Sequence, residues 1–132
     1  SKAGRAADEE NDQAKDGERS EYALYLKALI LRIQGKIHES LDHFKKCHLL
    51  NPNNNEYLKQ FGRSLYLLGK HKQAIEMLDE CLQLKQDDWE VYFYKGLCFR
   101  YTRQYEDAIS SFLKANELHV SENTFLELGR VY

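Results

Sequence analysis

The sequence contains little proline, glycine or cysteine. Pro52 is the single proline among 132 residues, and there are seven glycines and three cysteines. Because proline interrupts both helix interiors and central strands, its near absence indicates long uninterrupted helices. The cysteines, Cys47, Cys81 and Cys98, are odd in number and lack Cys-x-x-Cys spacing. We therefore expect them to be reduced packing residues of a cytoplasmic protein.

The sequence also lacks an excess of one charge and a long apolar run. Its formal net charge is −2, with acids and bases interspersed, so nucleic acid is not an expected partner. The longest apolar candidate, residues 23–33, is interrupted by Lys27 and Arg32, and no run reaches the roughly 18 apolar residues of a membrane-spanning helix. With no charged-then-apolar leader either, we expect an unanchored chain without direct membrane insertion.

Motifs of enzyme chemistry are missing as well. No glycine-rich nucleotide-binding motif occurs, and no histidine accompanies a recognisable nucleophile. His43 and Cys47 have a spacing that can ligate a metal, but no second pair completes a tetrahedral set. The sequence therefore predicts no catalytic residues, no metal site and no cofactor.

What the sequence does have is a period of 34 residues. Small residues recur at this step, and with Pro52 near a repeat end they give the pattern of the tetratricopeptide repeat (TPR), a hairpin of helices A and B. Helix axes approach closely only where one side chain is small, so these residues are the predicted repeat-packing positions. They are Ala28, Ser40, Cys47, Gly62, Ala74, Cys81, Gly96, Ala108 and Ala115.

The predicted fold is an all-α TPR helical-hairpin solenoid, a right-handed superhelix of three full repeats plus the first helix of a fourth. Repeats are expected at 21–54, 55–88 and 89–121, with the partial repeat at 122–132. Helices A are predicted near 21–34, 56–68 and 89–102, and helices B near 37–49, 71–84 and 105–118. Residues 1–20 are expected to be a polar N-terminal tail or a weak helix bounded by Gly4 and Gly17. The incomplete repeat suggests a fragment of a longer array.

The stacked A-helices should form an inner wall that contacts partners. Aromatic residues on them line this wall or pack in the core, two roles that the sequence leaves open, while Tyr92 is expected in the core. Arg63, Arg100 and Arg130, at repeat positions 9 and 12, could form a basic row for an acidic, aromatic-containing peptide; alternatively they pair with acids such as Glu56, Glu90 and Glu127. The candidate groove residues are Tyr25, Arg32, Arg63, Tyr66, Phe93, Arg100, Tyr101 and Arg130.

Three segments carry a more specific resemblance: EYALYLKALILRIQGKIHESLDHF (21–44), YLKQFGRSLYLLGKHKQAIE (57–76) and DWEVYFYKGLCFRYTRQYEDA (88–108). They resemble the N-terminal repeats of the Bardet–Biedl syndrome protein four family, the TPR-solenoid subunits of the BBSome coat. The resemblance implies a non-enzymatic scaffold in ciliary membrane-protein trafficking and cilium assembly. It also implies partners among BBSome-type subunits and pericentriolar or motor-adaptor proteins, at the cilium, basal body or centriolar satellites.

Other interpretations remain open. TPR receptors of chaperone tails use Lys at position 5 and Asn at position 9 of the first repeat, where this chain has Tyr25 and Leu29, so a chaperone-tail adaptor is disfavoured. An accessory domain of a larger enzyme is a further alternative. Because the last helix presents Leu126, Val131 and Tyr132 without a following B-helix, we also expect self-association through that face.

Overall fold

The computed structural model describes the backbone of residues 2–132 and the side chains of residues 4, 5, 15–17 and 19–132. Residues 2–132 are all-α, as predicted, and form seven helices joined by short turns, with no strand. The helices are α1 (Lys2–Ile33), α2 (Ile37–Leu50), α3 (Asn55–Leu67), α4 (His71–Leu84), α5 (Trp89–Tyr101), α6 (Tyr105–Leu118) and α7 (Glu122–Val131).

The helices stack as a linear array of hairpins. The pairs α1–α2, α3–α4 and α5–α6 pack against each other, and each B-helix also contacts the next A-helix. This arrangement is that of TPR hairpins, in which every repeat contacts mainly its neighbours. The loops at 51–54, 85–88 and 119–121 fall where the sequence divides the repeats. The exact repeat limits stay a prediction.

One turn geometry closes all three hairpins. Gly35 and Gly69 have φ of +82° and +78°, and Arg103 takes the equivalent place with φ of +62°. After each of them the chain donates a backbone hydrogen bond to the carbonyl five residues back, as in Lys70 N–H to Leu65 O at 2.9 Å. Positive φ suits glycine because it has no Cβ, so the first two turns are unstrained and the third is not.

The predicted start of the first helix near Glu21 is wrong. Helix α1 is continuous from Lys2 to Ile33, and it runs through Gly4 and Gly17, where the sequence predicts boundaries. Beyond an existing helical turn, each further residue adds a hydrogen bond without a new nucleation cost. A glycine in a helix costs only about 1 kcal/mol relative to alanine, so it weakens such a helix without ending it.

The small residues predicted at the packing positions are all buried. A Cβ added to Gly62 would lie 2.9 Å from Leu78 Cδ2, and one added to Gly96 would lie 2.5 Å from Phe112 Cε1. These short distances show how closely helices A and B approach within repeats two and three. The largest side chains of the core, including Leu78 and Phe112, fill the space beside them.

Side chains at the starts of α3 and α5 fix where the A-helices begin. Asn54 Oδ1 accepts hydrogen bonds from the backbone of Glu56 and Tyr57, and Asp88 Oδ1 accepts one from Glu90. Such N-caps satisfy backbone donors that a helix leaves unpaired. Asp88 is thus the N-cap of α5.

Candidate protein-binding surface

All eight candidate groove residues lie on the A-helices α1, α3, α5 and α7, which we call the A-helix wall. Helix α5 contacts both α3 and α7, and the rings of Tyr25 on α1 and Tyr57 on α3 lie 5.3 Å apart. The A-helices are therefore neighbours, and side chains from successive repeats meet along the wall.

The same repeat positions meet at each junction of the wall. With position 1 at Glu21, Asn55, Trp89 and Glu122, a junction consists of position 12 of one A-helix and positions 6 and 9 of the next. The three sets are Arg32, Gln60 and Arg63 (N-terminal junction), Tyr66, Tyr94 and Leu97 (middle junction), and Arg100, Glu127 and Arg130 (C-terminal junction). Their chemistry can therefore be compared position by position.

At the C-terminal junction, one carboxylate joins two arginines. Arg100 Nη1 donates to Glu127 Oε2 at 2.7 Å, and Arg130 Nη1 donates to Glu127 Oε1 at 2.7 Å. Glu127 is only 8% exposed, so this acid is nearly enclosed by its partners and neighbours. Arg100 and Arg130 thus adopt the alternative in which the arginines pair with an acid of the wall.

At the N-terminal junction, the two arginines have no such acid. Arg32 Nη2 donates to the neutral Gln60 Oε1 at 2.7 Å, and its guanidinium carbon lies 5.2 Å from the centre of the Phe44 ring. The guanidinium carbon of Arg63 lies 5.5 Å from the centre of the Tyr94 ring. Burial and the positive charge of Arg63 lower the pKa of Arg32 to about 10. Among the side chains that the structure describes, no carboxylate forms an ion pair with either arginine of this junction.

An aromatic cluster forms around the middle junction. The ring of Tyr101 lies 5.9 Å from that of Tyr66 and is stacked on His71 at 5.1 Å. A surface cavity of about 270 Å³ is lined by these three residues together with Leu67 and Gly69. Burial and the neighbouring Tyr101 raise the pKa of Tyr66 to about 12, and burial lowers the pKa of His71. The cluster can therefore offer neutral, flat rings to a partner.

His71 is the member of this cluster that the sequence does not reveal. It is the first residue of helix α4, where a histidine reads as an exposed helix start. The hairpin turn at Gly69 brings its ring onto the neighbouring repeat, a contact between residues that are far apart in the chain. No periodicity marks it, because the other B-helices begin with Ile37 and Tyr105.

Tyr25 and Phe93, the other two aromatic residues predicted for the groove, are more buried than Tyr101. Tyr25 packs against the rings of Phe44 and Tyr57, while Phe93 lies 5.8 Å from the ring of Phe112 in the core. Tyr25 also donates a long hydrogen bond, 3.4 Å, to Glu56. Both side chains are half-buried, so they support the wall and present only part of their surface.

The expectation that Tyr92 is a core residue is wrong. Tyr92 is half-buried, and its hydroxyl donates to the carbonyl of Gln86 at 3.3 Å in an exposed setting. The buried tyrosine of this helix is Tyr94, which belongs to the core cluster with Val91 and Leu97. The helix carries aromatic residues at three successive positions, so side-chain type alone does not show which of them faces the core.

The part of the chain that the structure describes offers neither a cluster of metal ligands nor a helix that could span a membrane. Within it, no three His, Cys, Asp or Glu side chains come together in a way that could hold a metal ion. His43 contacts the carbonyl of Glu39 at 2.8 Å, and Cys47, Cys81 and Cys98 are buried free thiols. In the same residues, no helix combines the length and the apolar character needed to cross a membrane.

Comparison with known families gives a match over residues 11–81 to the model described as "Anaphase-promoting complex, cyclosome, subunit 3" (ANAPC3). The chain belongs to this family. Its curated relatives in the BBSome are similar over a longer stretch than the ANAPC3 match. It is 42% identical to BBSome complex member BBS4 of Xenopus tropicalis over 84% of its length, and 42% identical to that of Mus musculus over 85%. The chain spans 22% of the length of each of these relatives.

Solved structures place this ANAPC3-family chain in the TPR fold. The first TPR of Spaghetti (RPAP3) bound to HSP90 peptide SRMEEVD has a TM-score of 0.81 and 19% identity, covering 86% of this chain and 90% of that one. The Arabidopsis OM64 TPR domain has a TM-score of 0.82 and 14% identity, covering 87% and 96%. At these identities the likeness shows the fold alone. The predicted TPR class and the resemblance to the BBSome subunit are confirmed.

Proposed function

We propose that this chain is a non-enzymatic interaction scaffold of a BBSome-type coat, and that other protein subunits dock on its A-helix wall. The observation that carries the proposal is the 42% identity to BBSome complex members over more than four fifths of the chain. Because relatives so named act in a complex, the partners expected are other subunits of that complex and adaptors that deliver it. We place the scaffold at the cilium, its basal body or the centriolar satellites.

The chemistry of the wall supports a docking role. Interface hot spots are enriched in tyrosine and arginine, which combine a large flat surface with directed hydrogen bonds. The wall has both kinds of group: Tyr101 is 55% exposed beside Tyr66, and Arg63 is held over an aromatic ring. TPR stacking also gives a continuous concave face along which an extended partner can lie.

The proposal can be tested by co-expressing the chain with the remaining subunits of a BBSome and measuring how much of each it captures. Tyr101→Ala removes an exposed ring from the wall, and Tyr105→Ala is the matched control, because Tyr105 is 49% exposed but begins a B-helix. We expect Tyr101→Ala to lower capture about tenfold, the equivalent of roughly 1.4 kcal/mol, and Tyr105→Ala to leave it unchanged. Equal capture by both variants would place docking elsewhere.

The chaperone-tail alternative is separated by a direct binding measurement. The solved structure of the RPAP3 repeat contains an HSP90 peptide, but at 19% identity its ligand does not carry over to this chain. Tyr25 and Leu29 stand where a tail receptor has Lys and Asn, and Tyr25 is half-buried against two rings. We expect no saturable binding of the peptide SRMEEVD in isothermal titration.

Self-association through α7 is a separate proposal. Of the three residues predicted to form this face, Leu126 and Tyr132 are more than half exposed, whereas Val131 is partly buried against the core. Phe125, on the same helix, is also more than half exposed. Apolar side chains grouped on one helix favour contact with another chain. Sedimentation velocity up to about 100 µM should show a dimer that Leu126→Glu removes, and a single monomeric species at all concentrations would exclude it.

A further inference from the structure

The two arginine-containing junctions of the wall have the same design and differ in one group. Each places arginines at position 12 of one A-helix and position 9 of the next. Position 6 is Glu127 in the C-terminal junction and Gln60 in the N-terminal junction. Glu127 binds both of its arginines, whereas Gln60 binds only Arg32 of the two arginines at its junction. The N-terminal junction therefore lacks the carboxylate that its counterpart contains.

The two arginines of the N-terminal junction have unused hydrogen-bonding capacity. Among the side chains that the structure describes, no carboxylate lies within 4.0 Å of the guanidinium nitrogens of Arg32 or Arg63. Arg32 Nη1 is buried and has no hydrogen-bond partner. A buried donor without a partner is unfavourable, and more so when it carries a charge, so an acceptor placed beside it would stabilise the complex.

The nearest acid is already committed to other groups. Glu56 Oε2 lies 3.0 Å from Lys59 Nζ, while its Oε1 accepts from Gln60 Nε2 at 2.8 Å and from Tyr25 at 3.4 Å. Arg32 and Arg63 are each held over a ring, those of Phe44 and Tyr94. Stacking fixes a guanidinium plane while its N–H groups still point outwards in that plane, the geometry that carboxylates bind.

We propose that Arg32 and Arg63 form a binding site for a carboxylate of an acidic segment in a protein partner. The partner's Asp or Glu would take the place that Glu127 holds at the C-terminal junction and would accept from both guanidinium groups. The half-buried ring of Tyr25 beside Arg32 suits an aromatic or aliphatic neighbour of that acid. This inference rests on the proposed docking function and specifies the class of partner segment that the wall accepts at this place.

The test uses a change that supplies the missing acid from within the chain. Gln60→Glu recreates the position-6 carboxylate of the C-terminal junction and should occupy both arginines. The probe is a fluorescein-labelled, C-terminally amidated peptide of alternating glutamate and phenylalanine, followed by fluorescence anisotropy. We expect the unmodified chain to bind it and Gln60→Glu to weaken binding at least tenfold. Arg63→Gln should weaken it similarly, with helix content unchanged by circular dichroism.

The converse variant is a matched control at the other junction. Glu127→Gln releases Arg100 and Arg130 and should create a second site, so that the number of bound peptides rises from one to two. The peptide with a free C-terminus distinguishes the source of the carboxylate, since equal affinity of the amidated and free forms indicates a side chain. Tighter binding of the peptide with the free C-terminus would indicate that the site takes the terminal carboxylate, and would overturn the side-chain assignment.

Two results would overturn the proposal itself. One is the absence of saturation of the unmodified chain up to about 1 mM peptide, and the other is equal binding by the unmodified chain and Gln60→Glu. Either result leaves the docking function standing on its own evidence, because capture of whole subunits and its loss in Tyr101→Ala do not depend on Arg32 or Arg63. If Tyr101→Ala captured as much of the subunits as the unmodified chain while peptide binding was normal, only the docking function would be rejected.

Discussion

Replacing Lys59 should weaken the contact between the second and third repeats. Lys59 on α3 is 5% exposed, and its ammonium lies 3.0 Å from Asp88 and 3.2 Å from Glu90 at the start of α5. It also lies 3.0 Å from Glu56 one turn earlier in α3. Asp88 is itself 8% exposed and is the N-cap of α5. One cation therefore joins the body of one A-helix to the first turn of the next.

The magnitude follows from the burial of the two ions. Removing one partner of a buried pair costs about 3–5 kcal/mol, because the other charge stays buried without compensation. Glu56 and Glu90 are more exposed and can return to water, so Asp88 carries most of this cost. We expect Lys59→Met, which keeps an unbranched apolar stem, to lower the free energy of unfolding by about 3 kcal/mol.

A double-mutant cycle measures the pair directly. Asp88→Asn removes the charge but keeps a good N-cap acceptor, so alone it should cost about 1 kcal/mol. The double variant Lys59→Met/Asp88→Asn should have a free energy of unfolding about 1–2 kcal/mol higher than Lys59→Met alone, because no uncompensated charge is then buried. Urea unfolding followed by circular dichroism gives all four values. Additivity within about 0.5 kcal/mol would refute the reasoning, because it would show that the two ions do not interact.

Three further expectations follow from particular residues. Gly96→Ala should cost about 2–3 kcal/mol, more than Gly62→Ala, because its Cβ meets the buried ring of Phe112 and not a flexible leucine; thermal melts of both variants check this. Arg103→Gly should raise the free energy of unfolding by about 1 kcal/mol in urea melts by relieving the positive φ, and no gain would contradict the strain. Burial alone would lower the pKa of Lys59, but its acidic partners raise it by more, so the pKa in the folded chain lies above the ordinary value. Its stabilisation should therefore be complete below about pH 10.4 and be lost progressively as the pH rises above that value, and melts of Lys59→Met should be less sensitive to alkaline pH.

The helical array could be predicted because its signals are local and repeated. The small residue at position 8 recurs as Gly62 and Gly96, and a glycine ends the A-helix at Gly35 and Gly69. The predicted and observed limits of α4 and α6 are the same, and the other helices from α2 to α7 agree within one residue at each end. The start of α1 was missed because a polar, alanine- and charge-rich segment has no apolar periodicity, although its residues favour a helix.

The candidate surface was only partly predictable. Repeat position correctly indicates that Arg32 and Arg63, or Arg100 and Arg130, belong to neighbouring helices. Repeat position does not show which arginine forms an ion pair. That depends on the residue at position 6 of the next A-helix, which belongs to another repeat. Of the predicted basic row, Arg100 and Arg130 share one carboxylate in the structure, while Arg63 lies at a junction with Arg32 where neither arginine pairs with a carboxylate. Which of these positions bind a partner stays a prediction.

Position 6 determines the chemistry of each junction, and the three junctions use it differently. Glu127 makes the C-terminal junction self-contained, because the energy of its two hydrogen bonds is already realised within the chain. Tyr94 fills the middle junction with an aromatic ring of the core, so that only its neighbours Tyr66 and Tyr101 face outwards. Gln60 is neutral and leaves both arginines of the N-terminal junction without a carboxylate. If partners dock on the wall as proposed, a partner that spans it would meet the two arginines of the N-terminal junction and then the rings of Tyr66 and Tyr101, so its acidic and apolar residues would have to follow in that spatial order.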